Sequence, residues 1–270
     1  MKSRSTGPKH RVDTAQRWRS AAFGLLTLSL CLTPTFAEEV RVLAAGAAKQ
    51  AVQSIAPSFF KATGHTLLQS FDTVGAQRDR VLQAAPGSVA DIVILSDGAL
   101  VTLRNAGKLN DAQALRIGRV VVAVAVPGNA AKADISTAQA FRQALLDAPT
   151  IAYADPARGA TAGTHFAKVI EAMGLQDALQ SKITLMPFGV DVIKAVSEGR
   201  YAIGISQSSE IMQHADITFA GGLPEPYALS TGYGAALSST STAAAQFIKF
   251  MAEPQNMKAF ASSGFVAAPE

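Results

Sequence analysis

The sequence predicts an α/β fold in two lobes, each built on a largely parallel sheet, with the chain crossing twice between them. Three observations carry this. Strand-like apolar runs alternate with helix-period segments from Val40 to the C-terminal end. A strongly β run at 119–126 ends at Pro127-Gly128 and opens a second unit. Another strand-like run, 227–237, follows Pro224 and Pro226 and brings the chain back.

The elements follow in order. The first strand, Val40-Arg41-Val42-Leu43-Ala44-Ala45, stops at Gly46-Ala47-Ala48 and turns at once into helix-period sequence led by Lys49. Val52, Ile55 and Phe59 fall on one face of that helix, and Gly64 marks its stop. Pro57 interrupts the pattern and is expected to weaken it. Residues 65–71 and 90–95 read as further strands, each followed by a helix-like segment. In the second unit, Ser136 and Gln139 have capping-box spacing ahead of Phe141-Arg142-Gln143-Ala144-Leu145-Leu146. Strands at 150–154, 183–185 and 202–205 come next, separated by helices at 164–173 and 190–198, with Gly199 at the helix end. Helices at 243–252 and 255–262 close the chain. The lobes are therefore expected at 38–120 plus 228–270 and at 121–227. Two crossings make a hinge, and the cleft beside it is a usual place for a small ligand.

The N-terminal segment has the character of an export signal. Lys2, Arg4, Lys9, Arg11, Arg17 and Arg19 precede an apolar stretch at 21–32, and Thr35 and Ala37 supply a small-residue cleavage site before Glu38-Glu39. The stretch is too short to span a membrane. Leu28-Ser29-Leu30-Cys31 approximates a lipoprotein box, but bulky Leu30 stands where a small residue is required. Six of the 24 basic and one of the 20 acidic residues precede Glu38, which leaves 18 and 19, a net charge of −1 rather than +4. The basic balance thus belongs to the leader and supports no nucleic-acid or membrane-surface partner. Cys31 and Trp18, the only cysteine and tryptophan, leave with it. No disulfide and no thiolate metal site is expected in what remains.

Five loop clusters fall at expected carboxyl ends of strands, where open α/β sheets bind ligands. They are Gly46-Ala47-Ala48 with Lys49, Thr73-Val74-Gly75, residues 155–163 with Arg158, Gly159, Ala160 and Thr161, Phe188-Gly189-Val190, and residues 205–209 with Gln207. Small side chains let a ligand approach the backbone. Free N–H groups at helix starts, hydroxyls and one or two cations are what a small anion needs. Catalytic templates fail. His65, His165 and His214 are scattered, and no Walker lysine loop, G-x-G-x-x-G or G-x-S-x-G is present. No metal and no cofactor is expected.

On Val42-Leu43-Ala44-Ala45, Phe60-Lys61-Ala62-Thr63-Gly64, Ala90-Asp91-Ile92-Val93-Ile94, Ala154-Asp155-Pro156 and Ser263-Gly264-Phe265, the sequence resembles a known family. These are the periplasmic molybdate-binding-like (type II) substrate-binding proteins of ABC transporters. The resemblance implies two α/β lobes, a double-crossover hinge and an inter-lobe cleft. It also implies a monomer in the periplasm that captures a small anion and delivers it to an inner-membrane permease. The family's oxyanion site transfers only in part. Ala47 stands where molybdate binders present a serine, Gln207 where they often present a tyrosine, and Asp72-Thr73-Val74-Gly75 replaces a serine-rich loop. Each missing hydroxyl costs on the order of 1–3 kcal/mol for a buried dianion, so oxyanion and organic carboxylate both stay open. Ile135-Ser136, Ala140-Phe141, Ile151-Ala152-Tyr153-Ala154-Asp155 and the segment from Gln207 to Glu210 are similar to the branch that includes aconitate isomerase. That branch implies an alternative function, proton transfer on a di- or tricarboxylate that shifts a double bond. Arg158 and Lys49 would hold carboxylates, and His165 or Glu210 would be the base.

Overall fold

The computed structural model describes residues 37–266. Apart from Ala37, the expected export signal lies outside the described residues. The element order is β1 (Glu39–Ala45), α1 (Lys49–Thr63), β2 (Thr66–Asp72), α2 (Val74–Gln83), β3 (Ile92–Ser96), α3 (Asp97–Asn105) and β4 (Asn110–Pro127). It continues with α4 (Ala138–Asp147), β5 (Ile151–Ala154), α5 (Thr161–Ala172), α6 (Gln176–Leu179), β6 (Ile183–Met186), α7 (Gly189–Ser197), β7 (Ile203–Gln207) and α8 (Ser208–Ile211). The last elements are β8 (Ile217–Gly222), β9 (Ser230–Leu237), α9 (Thr242–Met251) and α10 (Pro254–Ser262).

The strands run in the order β2-β1-β3-β9-β4-β7-β5-β6, with β8 also paired to β4. Two parallel triplets, β2-β1-β3 and β6-β5-β7, are the βαβ units anticipated from the alternating pattern. The 18-residue β4 joins them. Its first part pairs antiparallel with β9, and from Val122 onward it pairs with β7 and β8. One apolar core gathers Val42, Ile94, Phe59, Phe247 and Val120. A second gathers Val122, Phe141, Phe166 and Ile205. The break between the cores falls within β4, beside the point where the returning chain bonds to it through Leu223 N–H and the Leu229 carbonyl, each 3.0 Å from its Val122 partner.

Local sequence explains most of this. Phe59, Ile55, Val52 and Ala51 form the buried stripe of α1, and Gly64 closes it in the left-handed conformation at φ 77°. The helix continues through Pro57 rather than yielding to it. Pro57 and Gln53 are both exposed, so water meets the Gln53 carbonyl that lacks a donor. The cap of α4 sits one residue later than its spacing suggests. The Thr137 hydroxyl, not Ser136, accepts from the Ala140 N–H at 3.0 Å. On β1, Arg41 grips Asp91 through Nε and Nη2, at 3.0 and 2.8 Å, while its backbone N–H reaches the same carboxylate at 2.9 Å.

Candidate anion-binding cleft

All five turns open on one cavity of about 300 Å³. From the first lobe come the end of β1 with Gly46, Ala47 and Lys49, and the end of β2 with Phe71, Asp72, Thr73 and Val74. From the second come Ala154, Ala160, Thr161 and Ala162 after β5, and Phe188, Gly189, Val190 and Asp191 after β6. Gln207 and Glu210 follow β7, and Tyr233 reaches in from β9.

Three of these helical starts have no side-chain cap. A single 3-10 turn at Gly46–Ala48 leads into α1, Ala160 precedes α5 and Phe188 precedes α7, and at each start no side chain accepts from the first N–H groups. Those N–H groups and the positive dipole ends are left for an anion. The other two are capped: in α2 the Thr73 hydroxyl accepts from Ala76 N–H at 3.1 Å, and in α8 the Glu210 carboxyl accepts from the Gln207 N–H at 3.4 Å. The small residues have a geometric reason. A Cβ placed on Gly46 would lie 2.9 Å from Glu210 Oε1, and one on Gly189 would lie 2.1 Å from Glu210 Oε2. Gly163 packs α5 against β5, where a Cβ would fall 1.8 Å from the Ala154 carbonyl oxygen.

The lobes touch across the mouth of the cavity. Gly75 N–H donates to the Gly159 carbonyl at 3.1 Å, and the Thr73 hydroxyl donates to the Arg158 carbonyl. The Arg158 guanidinium lies 3.6 Å from Asp72 and 4.8 Å above the Phe188 ring. Tyr233 and Thr161, from opposite lobes, both line the cavity.

The charges inside are sparse. Lys49 brings one ammonium, which has no ion pair among the described residues, against the carboxyls of Asp191 and Glu210. Burial pushes the Glu210 carboxyl up from its ordinary range, and the neighbouring Asp191 adds to this against hydrogen bonds from Ser206 and the Gln207 N–H. Burial likewise raises the Tyr233 phenol, with Glu210 as a second cause. Gln207 is 3% exposed, and neither its Nε2 donor nor its Oε1 acceptor has a partner among the described residues. An unpartnered buried donor costs roughly 1–3 kcal/mol unless a ligand accepts from it.

A family model described as a bacterial extracellular solute-binding protein matches residues 40–266. The chain belongs to that family. Aconitate isomerase of a Pseudomonas species is 28% identical to this solute-binding protein over 264 residues, which cover 93% of its chain and 98% of the relative. The periplasmic molybdate-binding protein of Azotobacter vinelandii shares its fold with a TM-score of 0.69, at 20% identity over 86% of this chain and 100% of that one. The sulfate-binding protein of Mycobacterium tuberculosis does so with a TM-score of 0.63, at 19% identity over 84% and 86%. The two-lobed α/β architecture expected from the sequence is thus the fold of this solute-binding protein. Among the described residues, no helix is long and apolar enough to cross a membrane.

Of the residues singled out in the sequence, Gly46, Ala47, Lys49, Thr73, Val74, Ala160, Thr161, Gly189, Gln207 and Glu210 line the cavity. Ala48 is fully buried behind the first turn, and Gly75, Arg158 and Gly159 form the contact at its mouth. His165 stands elsewhere. Its Nε2 lies 2.8 Å from the Tyr227 carbonyl oxygen, on the returning crossing. Tyr233 and Phe71 escaped the sequence reading, because each sits in a strand where an aromatic reads as core. Flanking Gly232 and Gly234 are a usable signal for Tyr233, since they mark a strand that something approaches closely.

Proposed function

We propose that this protein captures a small organic carboxylate between lobes 38–120 plus 228–270 and 121–227, and delivers it to an ABC-type permease. The cavity carries the reading. Its volume of about 300 Å³ gives room for a ligand with a carbon skeleton. Its walls agree. Phe71, Val74, Phe188, Val190 and five alanines supply apolar flanks between the uncapped helix starts. Carboxylates would lie against the N–H groups of Thr161, Ala162, Gly189 and Val190, with Lys49 and Gln207 Nε2 as side-chain donors. Closure follows from contacts that the ligand makes with both lobes at once. The protein works as a monomer in the periplasm, after export on the leader 1–37, and needs no cofactor.

A second reading is an isomerase that moves a proton on a di- or tricarboxylate. The aconitate isomerase relative, which aligns over nearly its whole length, favours it. So does the position of Glu210, a buried carboxyl on the cavity wall, whereas His165 is turned to the crossing.

A thermal-shift panel of molybdate, tungstate, sulfate, citrate and the aconitate isomers tests both. Stabilisation grows with ligand concentration over Kd, so a carboxylate is expected to raise Tm in a concentration-dependent way. Stabilisation by oxyanions alone overturns the first reading. Proton NMR of the mixture with trans-aconitate then separates the two, since conversion establishes the isomerase and an unchanged spectrum removes it.

A further inference from the structure

We propose that Glu210 meets the bound ligand as a neutral acid, sharing one proton with a ligand carboxylate in the closed cleft. This rests on the carboxylate reading above and assigns the residue that sets the ligand's charge state.

The geometry points to it. Glu210 is 8% exposed, yet its carboxyl lines the cavity between the first-lobe turn at Gly46 and the second-lobe turn at Gly189. Its two oxygens are used differently. Oε2 accepts from the Ser206 hydroxyl and, at 3.4 Å, from the Gln207 N–H. Oε1 has no protein donor among the described residues and faces Gly46. The anchored oxygen fixes the side chain, and the other is left for whatever fills the cavity.

What surrounds it decides the protonation state. From α7 comes Asp191, another carboxyl, and from β9 comes the phenol of Tyr233. β7 and β8, which pack against α8, bring no ionisable side chain; β4 meets α8 at Val121, whose N–H lies 3.2 Å from Ser208 Oγ, and Arg119, two residues earlier on β4, is bonded to Ser230. Among the described residues, the one cation on the cavity wall is Lys49, across the first-lobe turn, and it makes no ion pair with Glu210. A ligand carboxylate placed against Oε1 would set two like charges together in a water-poor space. Such pairs hold one proton between them rather than both ionising. A protonated Glu210 also adds a donor beside Gln207, whose amide is unpartnered at both Nε2 and Oε1.

The test follows the Glu210 carboxyl carbon by NMR in the purified protein labelled at glutamate Cδ, with and without citrate or trans-aconitate, from pH 5 to 9. Expected is a carboxyl resonance that stays in the protonated position at pH 7 in the complex. Affinity should weaken by up to about tenfold per pH unit once that carboxyl ionises, and Glu210→Gln should bind with a pH-independent Kd. A ligand that binds while Glu210 is ionised at pH 7 overturns this inference alone. Spectra unmoved by either ligand remove the carboxylate reading and this inference with it. The wild-type resonances keep the test independent of how well Glu210→Gln folds.

Discussion

The Cα atoms of Gly75 and Gly159 face each other across the mouth of the cavity, so closely that a Cβ on either would lie 2.8 Å from the other's Cα. One belongs to the first turn of α2 and the other to the loop before α5. The backbone bond between them, 3.1 Å from Gly75 N–H to the Gly159 carbonyl, forms only when neither carries a side chain.

Gly75→Ala therefore props the cleft while leaving the lobes intact. Alanine suits a helix at this position, so Tm without ligand should move little. Overpacking of this kind costs roughly 1–3 kcal/mol, which would lower affinity for a panel carboxylate by about 5- to 150-fold. Calorimetric titration checks this, and an unchanged Kd would mean that the contact is not part of the ligand-bound form.

Arg158→Ala should have a smaller effect. The guanidinium pairs with Asp72 at 3.6 Å, and both side chains are about a third or more exposed. An exposed pair contributes about 0.2–1 kcal/mol, or at most about fivefold in Kd, and the Thr73 bond to the Arg158 carbonyl survives the change. A loss beyond a hundredfold would place the guanidinium on the ligand itself.

Glu210 should make the free protein less stable as pH rises. Burial raises its native carboxyl above the unfolded value. The stabilising contribution is then fully present below the ordinary glutamate range, at about pH 4, and is lost as pH rises through the raised native value. Glu210→Gln removes that slope. The variant's Tm relative to wild type should climb from pH 5 to 8, and a constant difference in thermal melts would contradict the assignment.

Asp91 has the opposite sign. Burial alone would raise its carboxyl, but side-chain and backbone bonds from Arg41, with Ser239, hold it below the usual carboxylate range. Its contribution is present above about pH 4 and is lost as pH falls through the lowered native value. Because Arg41 is more than a third exposed, Asp91→Asn should cost about 2–3 kcal/mol rather than the full value of a buried pair. That is roughly 5–10 °C in Tm at neutral pH, with the gap to wild type closing in acid.

The architecture was legible because its signals are periodic. Apolar runs ending in Gly46-Ala47-Ala48 or Gly189-Val190 are short-range patterns, and the turns they mark all reach the cavity. What escaped depends on distant partners. β8 ends in Gly221-Gly222 and reads as a loop until β4 pairs with it. The first part of β4 opens on Asn110 and Gln113, polar residues that become strand only beside β9. The position of Arg158 depended on Asp72, which comes from another lobe 86 residues earlier in the sequence. Likewise, nothing local to His165 announces that it faces the Tyr227 carbonyl.

The central claim is that uncapped helix starts from both lobes hold a carboxylate. The most direct measurement is a crystal structure of the protein soaked with the carboxylate that most raises its Tm. The account predicts ligand oxygens about 2.7–3.2 Å from the backbone nitrogens of Thr161 or Ala162 and of Gly189 or Val190, with the carbon skeleton against Phe71 and Phe188. Density for the ligand outside this cavity, or inside it with those nitrogens still bonded to water, would contradict it.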